Sequence, residues 1–92
     1  MSKPTIIEAH KALLSPPGDT LLETIEHLGI SQIKLAESLG KNPVFVREII
    51  EGKASITKEV AQELEKLLGI STSFWLERER RYQLELSKLA VF

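Results

Sequence analysis

Side chains that can contact a nucleic acid are concentrated between residues 31 and 53. The polar and cationic members of this stretch are Ser31, Gln32, Lys34, Lys41, Asn42, Arg47 and Lys53. Lysine, serine and glutamine side chains bind phosphate oxygens, and arginine matches base edges in the major groove of DNA. These residue types indicate a nucleic-acid interface if the fold brings them to one surface.

Phosphate binding has a candidate site at Ser31 and Gln32, where a helix is predicted to begin. The free N–H groups and the positive dipole end of a helix start favour an anion. Lys34, Lys41 and Lys53 are placed to flank such a contact, although an isolated lysine is more often simply solvated. The sequence therefore offers more candidate contacts to the phosphate backbone of DNA than to its bases.

The helix predicted at residues 43–51 is the candidate that contacts the DNA bases. If Val46 is the centre of its buried stripe, steps of about 100° per residue define an opposite face. That face consists of Val44, Arg47, Glu48 and Glu51, with Phe45 on its boundary. It offers one arginine against two carboxylates, and carboxylates near phosphates are repelled. Base contacts would rest on Arg47, Val44 and Phe45, because an apolar side chain can touch the thymine methyl group.

The elements that position these residues are predicted from helix stops and starts. The tetrapeptide LGIS, at residues 28–31 and again at 68–71, suits a helix that ends at a left-handed glycine before a serine N-cap. Gly40 followed by Asn42-Pro43, and Gly52 followed by Thr57, mark two further junctions. The predicted helices span residues 18–28, 31–39, 43–51, 58–68 and 72–89, preceded by a shorter helix at about 5–14. Each has one apolar stripe. The stripes comprise Leu21, Leu22, Ile25 and Leu28; Leu35, Ala36 and Leu39; Val46, Ile49 and Ile50; and Val60, Ala61, Leu64, Leu67 and Leu68.

Four residues indicate how the second and third of these five helices pack. Ala36 allows a close crossing, Gly40 supplies a tight turn, and Val46 and Ile49 point back into the core. Two helices joined by a short glycine-containing turn form a helix-turn-helix. An ordinary helical hairpin in a bundle needs similar residues and remains the alternative.

Several motifs together resemble a known family. SPPGDTL (residues 15–21), SQIKLAESLG, EIIEGKASIT and LGISTSFWLERERRY are similar to the HigA-type antitoxins, a branch of the Xre/Cro-like helix-turn-helix repressors. The module is also similar to the N-terminal half of regulators with a metallopeptidase-like domain. The resemblance covers about residues 15–86. It implies an all-α, compact five-helix Cro/lambda-repressor-like domain over residues 15–92, with an extra short N-terminal helix in the segment 1–14.

The functional implication of this resemblance is a cytoplasmic repressor. Such a protein binds palindromic, double-stranded operator DNA as a homodimer, and an antitoxin also neutralises a RelE-like toxin that cleaves messenger RNA. The family usually has polar or basic residues where this chain has Pro43, Val44 and Phe45. Two alternatives therefore stay open, namely the DNA-binding module of a larger regulator and a protein-binding bundle that has lost DNA affinity.

The two ends of the chain carry apolar residues that could bind a partner. Trp75, Tyr82 and Leu89 recur every seven residues, which gives a seam that could close the core of the monomer or contact a second subunit. We expect Phe74 and Trp75 to complete the core, the ERERR stretch to be solvated, and residues 82–92 to form an interface or begin a further domain. At the other end, Ile6, Ile7, Leu13 and Leu14 form a strip that either docks on the bundle or binds a partner.

Composition excludes several other classes of protein. Twelve basic and thirteen acidic residues give a net charge of −1, which argues against indiscriminate nucleic-acid binding. Cysteine is absent, and the two histidines, which lie far apart in sequence, form no recognisable ligand set. The chain has no phosphate loop, nucleophile elbow or zinc-binding histidine pair, so we expect no enzyme and no cofactor. Its first fifteen residues lack the long uninterrupted apolar core of a signal peptide, and no segment approaches the roughly 18 apolar residues of a membrane span, so we expect no export and no membrane insertion.

Overall fold

The computed structural model describes residues 14–89, which form five helices joined by short loops. In chain order they are α1 (Pro17–Leu28), α2 (Gln32–Leu39), α3 (Pro43–Ile50), α4 (Lys58–Leu68) and α5 (Thr72–Leu89). All five predicted helices are confirmed to within one residue at each end. The shorter helix predicted at about 5–14 lies outside the described residues, except for Leu14, which is not helical.

The predicted helix starts are confirmed by hydrogen bonds that backbone amides donate to side-chain oxygens. The capping contacts are Ser31 Oγ to Lys34 N (3.1 Å), Asn42 Oδ1 to Val44 N (2.8 Å), Thr57 Oγ1 to Val60 N (3.4 Å) and Ser71 Oγ to Phe74 N (3.2 Å). Each cap satisfies an amide that has no partner within its helix. Between α2 and α3, Gly40 adopts a φ of 66°, which glycine reaches without a steric cost. These local features keep the α2–α3 turn short.

The core lies where α2 packs against α3 and α4, while α1 packs against α3 and α5. Ala36, Val46 and Ile49 are buried as predicted. The rest of the buried cluster comprises Leu21, Ile25, Leu35, Ile56, Val60, Ala61, Leu64 and Trp75. The predicted stripes were wrong at Leu28 and Leu67, which are 49% and 38% exposed. Both lie in the last turn of a helix, just before a glycine at which the chain changes direction.

Trp75 is the largest buried side chain of the core. It is fully buried, and its indole Nε1 has no hydrogen-bond partner among the residues that the structure describes. Phe74 was also predicted to complete the core, but it is 40% exposed and meets Trp75 edge to face with ring centroids 5.5 Å apart. Only one of the two aromatic rings is therefore a core residue.

The charged stretch at residues 77–81 is not wholly solvated, contrary to the prediction. The Arg78 guanidinium donates to the backbone carbonyls of Ser15 (3.2 Å) and Pro16 (3.1 Å) and to the hydroxyls of Ser15 (3.3 Å) and Thr20 (3.4 Å). Glu79 Oε1 accepts a hydrogen bond from Ile56 N at 2.8 Å. Helix α5 thus holds both the start of α1 and the loop between α3 and α4.

Replacing Arg78 with methionine is expected to lower the free energy of unfolding by about 2 kcal/mol, because hydrogen bonds to a charged group are lost while the apolar stem is kept. Urea denaturation measures this change. Arg80→Met is the control, since Arg80 is exposed and, among residues 14–89, pairs only with Glu77, at 2.6 Å. The hydrogen bond from Arg80 holds the pKa of Glu77 below its usual value. Equal losses from both variants would contradict the tie to α1.

Close packing around two glycines brings α1 and α5 against the end of α3. A methyl group on Gly18, in the first turn of α1, would lie 2.1 Å from Ile49 O and 2.4 Å from Ile50 Cα. A methyl group on Gly52 would lie 2.9 Å from the Tyr82 hydroxyl. Tyr82 is half-buried within the monomer, and the interface predicted for residues 82–92 stays a prediction.

Candidate nucleic-acid interface

The start of α2 has the free hydrogen-bond donors that the predicted anion site requires. Ser31 and Gln32 are exposed, and Ser31 Oγ accepts from Lys34 N, which leaves its hydroxyl hydrogen free to donate. Among the hydrogen bonds formed within residues 14–89, none uses the N–H of Gln32 or Ile33. Two amides and a hydroxyl therefore stand at the positive end of the helix dipole, where a phosphate is favoured.

The start of α3 is different, because none of its first three residues has a free amide. Pro43 carries no N–H, Val44 N donates to Asn42 Oδ1 at 2.8 Å, and Phe45 N donates to Asn42 O at 2.9 Å. Asn42 retains an exposed side-chain NH₂ group that can donate. This helix start therefore presents an apolar surface, formed by Pro43, Val44 and Phe45 and called the apolar tip of α3 below, with the side-chain amide of Asn42 beside it. It is not a phosphate site.

The face of α3 that was predicted to point outward is largely exposed. Val44, Arg47 and Glu51 are exposed, whereas Val46 and Ile49 are buried beneath them. Phe45 lies at the boundary, half-buried against the core, as predicted. Glu48 was assigned to the outward face but is half-buried. Its backbone carbonyl accepts hydrogen bonds from Lys53 N (2.8 Å) and Ala54 N (3.1 Å) in the loop that follows α3.

Glu51 binds two of the candidate DNA-contacting cations. Its Oε2 lies 3.0 Å from Lys53 Nζ, and its Oε1 lies 3.8 Å from Arg47 Nε. The chain reverses at Gly52, whose φ is 78°, and this turn brings Lys53 back toward the carboxylate. Reasoning from the sequence identified the negative charge but missed this contact, because the path of the turn sets it. Without DNA, Glu51 neutralises part of the positive field of this surface.

Glu51→Gln is expected to tighten binding to operator DNA about fivefold, since the neutral amide no longer competes for Arg47 and Lys53. Fluorescence anisotropy with labelled duplex at fixed salt measures the change. Glu85→Gln removes the same charge from α5, where Glu85 pairs with Lys88. An equal gain from this control would mean that net charge alone is responsible, and weaker binding by Glu51→Gln would mean that Glu51 accepts a hydrogen bond from a base.

The remaining predicted lysines are solvated, with weak local partners. Lys34 Nζ lies 3.8 Å from Glu37 Oε2, and Lys41 Nζ lies 5.5 Å from the centroid of the Phe45 ring, within the range of a cation–π contact. Exposed contacts of this kind contribute little to stability. Both ammonium groups can therefore exchange these partners for a phosphate at little cost.

The structure places the predicted site residues on two packed helices and the loops next to them. Ser31, Gln32 and Lys34 open α2, and Lys41, Asn42, Val44, Phe45 and Arg47 occupy the α2–α3 turn and α3, while Lys53 follows in the next loop. All are exposed except Phe45, which is half-buried.

In the described part of the chain, no group of three or more acidic or histidine side chains could hold a metal ion. None of the helices between residues 14 and 89 is long and apolar enough to cross a bilayer.

Comparison with known proteins identifies the class of protein to which this chain belongs. A helix-turn-helix family model matches residues 21–75, which include all of α2, α3 and α4, and the chain belongs to this family, in its Xre/Cro-like branch. It is a helix-turn-helix transcriptional regulator, and the alternative of an ordinary helical hairpin is set aside.

Individual relatives narrow this class. The chain is 29% identical to an uncharacterised HTH-type transcriptional regulator, YddM, of Escherichia coli K12, over 82% of this chain and 80% of that protein. An addiction module antidote protein of the HigA family from Coxiella burnetii is 32% identical, with a TM-score of 0.72 over 77% and 78% of the two chains. The Pseudomonas aeruginosa antitoxin HigA, solved with the higBA promoter, is 26% identical, with a TM-score of 0.76 over 82% and 83%. Solved structural neighbours of this chain are thus antitoxins of the HigA family.

Proposed function

We propose that this chain is the antitoxin of a toxin–antitoxin module, a cytoplasmic protein that represses its own operon and neutralises a RelE-like toxin that cleaves messenger RNA. The observation that carries the proposal is the likeness to the antitoxin HigA solved with its promoter, at a TM-score of 0.76. The chain spans about four-fifths of that protein, so the relative is of comparable length.

DNA binding by the chain is supported by the chemistry of the surface. The start of α2 has free amide donors for a phosphate, and Arg47 is exposed on α3, where it can reach base edges. In this proposal the protein binds as a homodimer that presents two copies of α3 about 34 Å apart, so its operator has two symmetric half-sites. The assignment of Ser31, Gln32, Lys34, Lys41, Asn42, Val44, Phe45, Arg47 and Lys53 as contact residues belongs to the same proposal.

A second candidate is a protein-binding module without DNA affinity. The apolar tip of α3 and the ion pairs of Glu51 with Arg47 and Lys53 favour it, because both reduce the charge offered to a duplex. The salt dependence of binding distinguishes this candidate from a DNA-binding antitoxin. A protein with about six phosphate contacts loses roughly three decades or more of affinity between 50 and 200 mM salt, whereas a protein–protein contact of this surface would change far less.

Two measurements test the proposal. The first is co-purification of the full chain with the product of the adjacent reading frame, followed by an assay of whether the complex cleaves messenger RNA. The second is titration of the chain against DNA from upstream of its own frame across a salt series. Toxin capture together with steep salt dependence supports an autoregulating antitoxin. DNA binding without capture would make the chain a regulator alone, and capture without DNA binding would support the second candidate.

A further inference from the structure

The first turn of α3 has a surface chemistry that the proposed DNA binding leaves unexplained. Pro43 and Val44 are exposed, and Val44 retains 44% of its accessible surface. The side chains offer no hydrogen-bond donor or acceptor, and the amide of Val44 is already held by Asn42 Oδ1. Hydrogen-bonded recognition of a base edge is therefore closed to these two residues.

The charges around this tip determine what can cover it. Lys41 lies over the Phe45 ring on one side, and Arg47 follows Val44 one turn later on the exposed face of α3. Both cations favour a polyanionic partner over an apolar protein surface. Phe45 and Lys41 also border a groove that is lined in part by Glu59 and Glu63, and those carboxylates repel phosphates. The part of the tip that suits a duplex is thus Pro43 and Val44, next to Arg47.

One group on the floor of the major groove matches an exposed valine at this position. The C5 methyl group of a pyrimidine is the apolar feature that distinguishes thymine, or 5-methylcytosine, from its unmethylated counterpart. Val44 is fixed for such a contact, because the capping bond to Asn42 immobilises its backbone and a β-branched side chain in a helix has one preferred rotamer. A rigid methyl-bearing side chain can bury another methyl group at little entropic cost.

We propose that Val44, supported by Pro43, selects a 5-methylpyrimidine in each operator half-site, while Arg47 reads a neighbouring base. This inference rests on the proposed DNA binding and adds the class of base that the tip accepts. The two sources of the methyl group, thymine and 5-methylcytosine, present the same chemistry to the valine. The operator half-site is expected to carry one of them where Val44 meets the groove.

The test uses the full chain and an operator selected from randomised duplex DNA. Each thymine of the half-site is replaced by deoxyuridine, which removes only the methyl group. Loss of one buried methyl contact is expected to weaken binding about fourfold, and replacement in both half-sites about 15-fold. At the sensitive position, a cytosine and a 5-methylcytosine are then compared to separate the two sources. A gain from cytosine methylation would extend the selection to both bases, and no gain would assign it to thymine alone.

Val44→Ala identifies the side chain responsible. This variant is expected to bind the thymine operator more weakly and to bind thymine and deoxyuridine duplexes alike. Leu28→Ala is the matched control, because Leu28 is 49% exposed on the last turn of α1, outside the candidate interface. It should retain the full discrimination.

Three outcomes would overturn the inference. If deoxyuridine at every half-site position leaves binding of the unmodified chain unchanged while the DNA is still bound, the methyl selection fails and the proposed function stands. If the chain binds no DNA at all, both fail. If Val44→Ala leaves DNA binding intact but abolishes capture of the toxin, the tip is a protein contact.

Discussion

Replacing Gly18 with alanine is expected to lower the free energy of unfolding by about 3 kcal/mol, the largest stability effect of any single methyl group that the structure suggests. The added carbon would lie 2.1 Å from Ile49 O, 2.4 Å from Ile50 Cα and 2.6 Å from Ile50 O. All three are backbone atoms at the end of α3, so no side chain can rotate to make room. Helix propensity favours alanine over glycine by about 1 kcal/mol, so the loss would come from the clash alone.

Urea denaturation of Gly18→Ala beside Gly29→Ala separates this clash from a general cost of replacing glycine. Gly29 has a φ of 70° but no atom within 4 Å of the added carbon, so the control should lose only about 1 kcal/mol from backbone strain. Because α1 rests on the end of the candidate reading helix, Gly18→Ala should also weaken operator binding. Equal stability of the two variants would show that α1 and α3 do not pack this closely in solution.

Arg47→Ala is expected to weaken binding to the selected operator by roughly 100-fold or more. A bidentate contact between arginine and a base contributes about 1–3 kcal/mol, and the proposed dimer carries two copies. Arg47 is the only cationic side chain on the exposed face of α3, so no neighbour on that helix can replace it. Anisotropy titrations with operator and with unrelated DNA measure the two affinities separately, and binding to unrelated DNA should fall much less.

Arg47→Lys serves as the control for charge, because it keeps the cation and loses the planar donor geometry. If arginine reads a base, the lysine variant should lose most of the preference for the operator while it keeps most of its affinity for unrelated DNA. If lysine restores both affinities, Arg47 contacts a phosphate and sequence reading lies elsewhere on α3. Insensitivity of operator binding to Arg47→Ala would contradict the assignment altogether.

The helix boundaries and most of the core could be predicted from the sequence, because both are encoded locally. A glycine followed within two residues by serine or asparagine marks three of the helix junctions, and capping depends only on residues within one turn. The apolar spacing of Ala36, Val46 and Ile49 likewise placed them in the core. Local signals were sufficient wherever a residue and its partner lie within about one turn of helix.

Contacts between distant segments could not be predicted in this way. Arg78 donates to residues about sixty positions earlier, and nothing within the ERERR stretch distinguishes it from the solvated Arg80. Gly18 was interpreted as part of a helix start, although its main constraint is the backbone of α3. The pairing of Glu51 with Lys53 depends on the turn at Gly52. In each case a side chain meets a partner whose position only the tertiary packing defines.

The environment of the single tryptophan has a practical consequence. Trp75 is fully buried beside Phe74, and its ring nitrogen has no hydrogen-bond partner among residues 14–89. An indole shielded from water cannot be relaxed by solvent dipoles after excitation, so its fluorescence is emitted at short wavelength and moves to the red on unfolding. The chain therefore contains its own optical reporter of unfolding, and the stability measurements need no added dye.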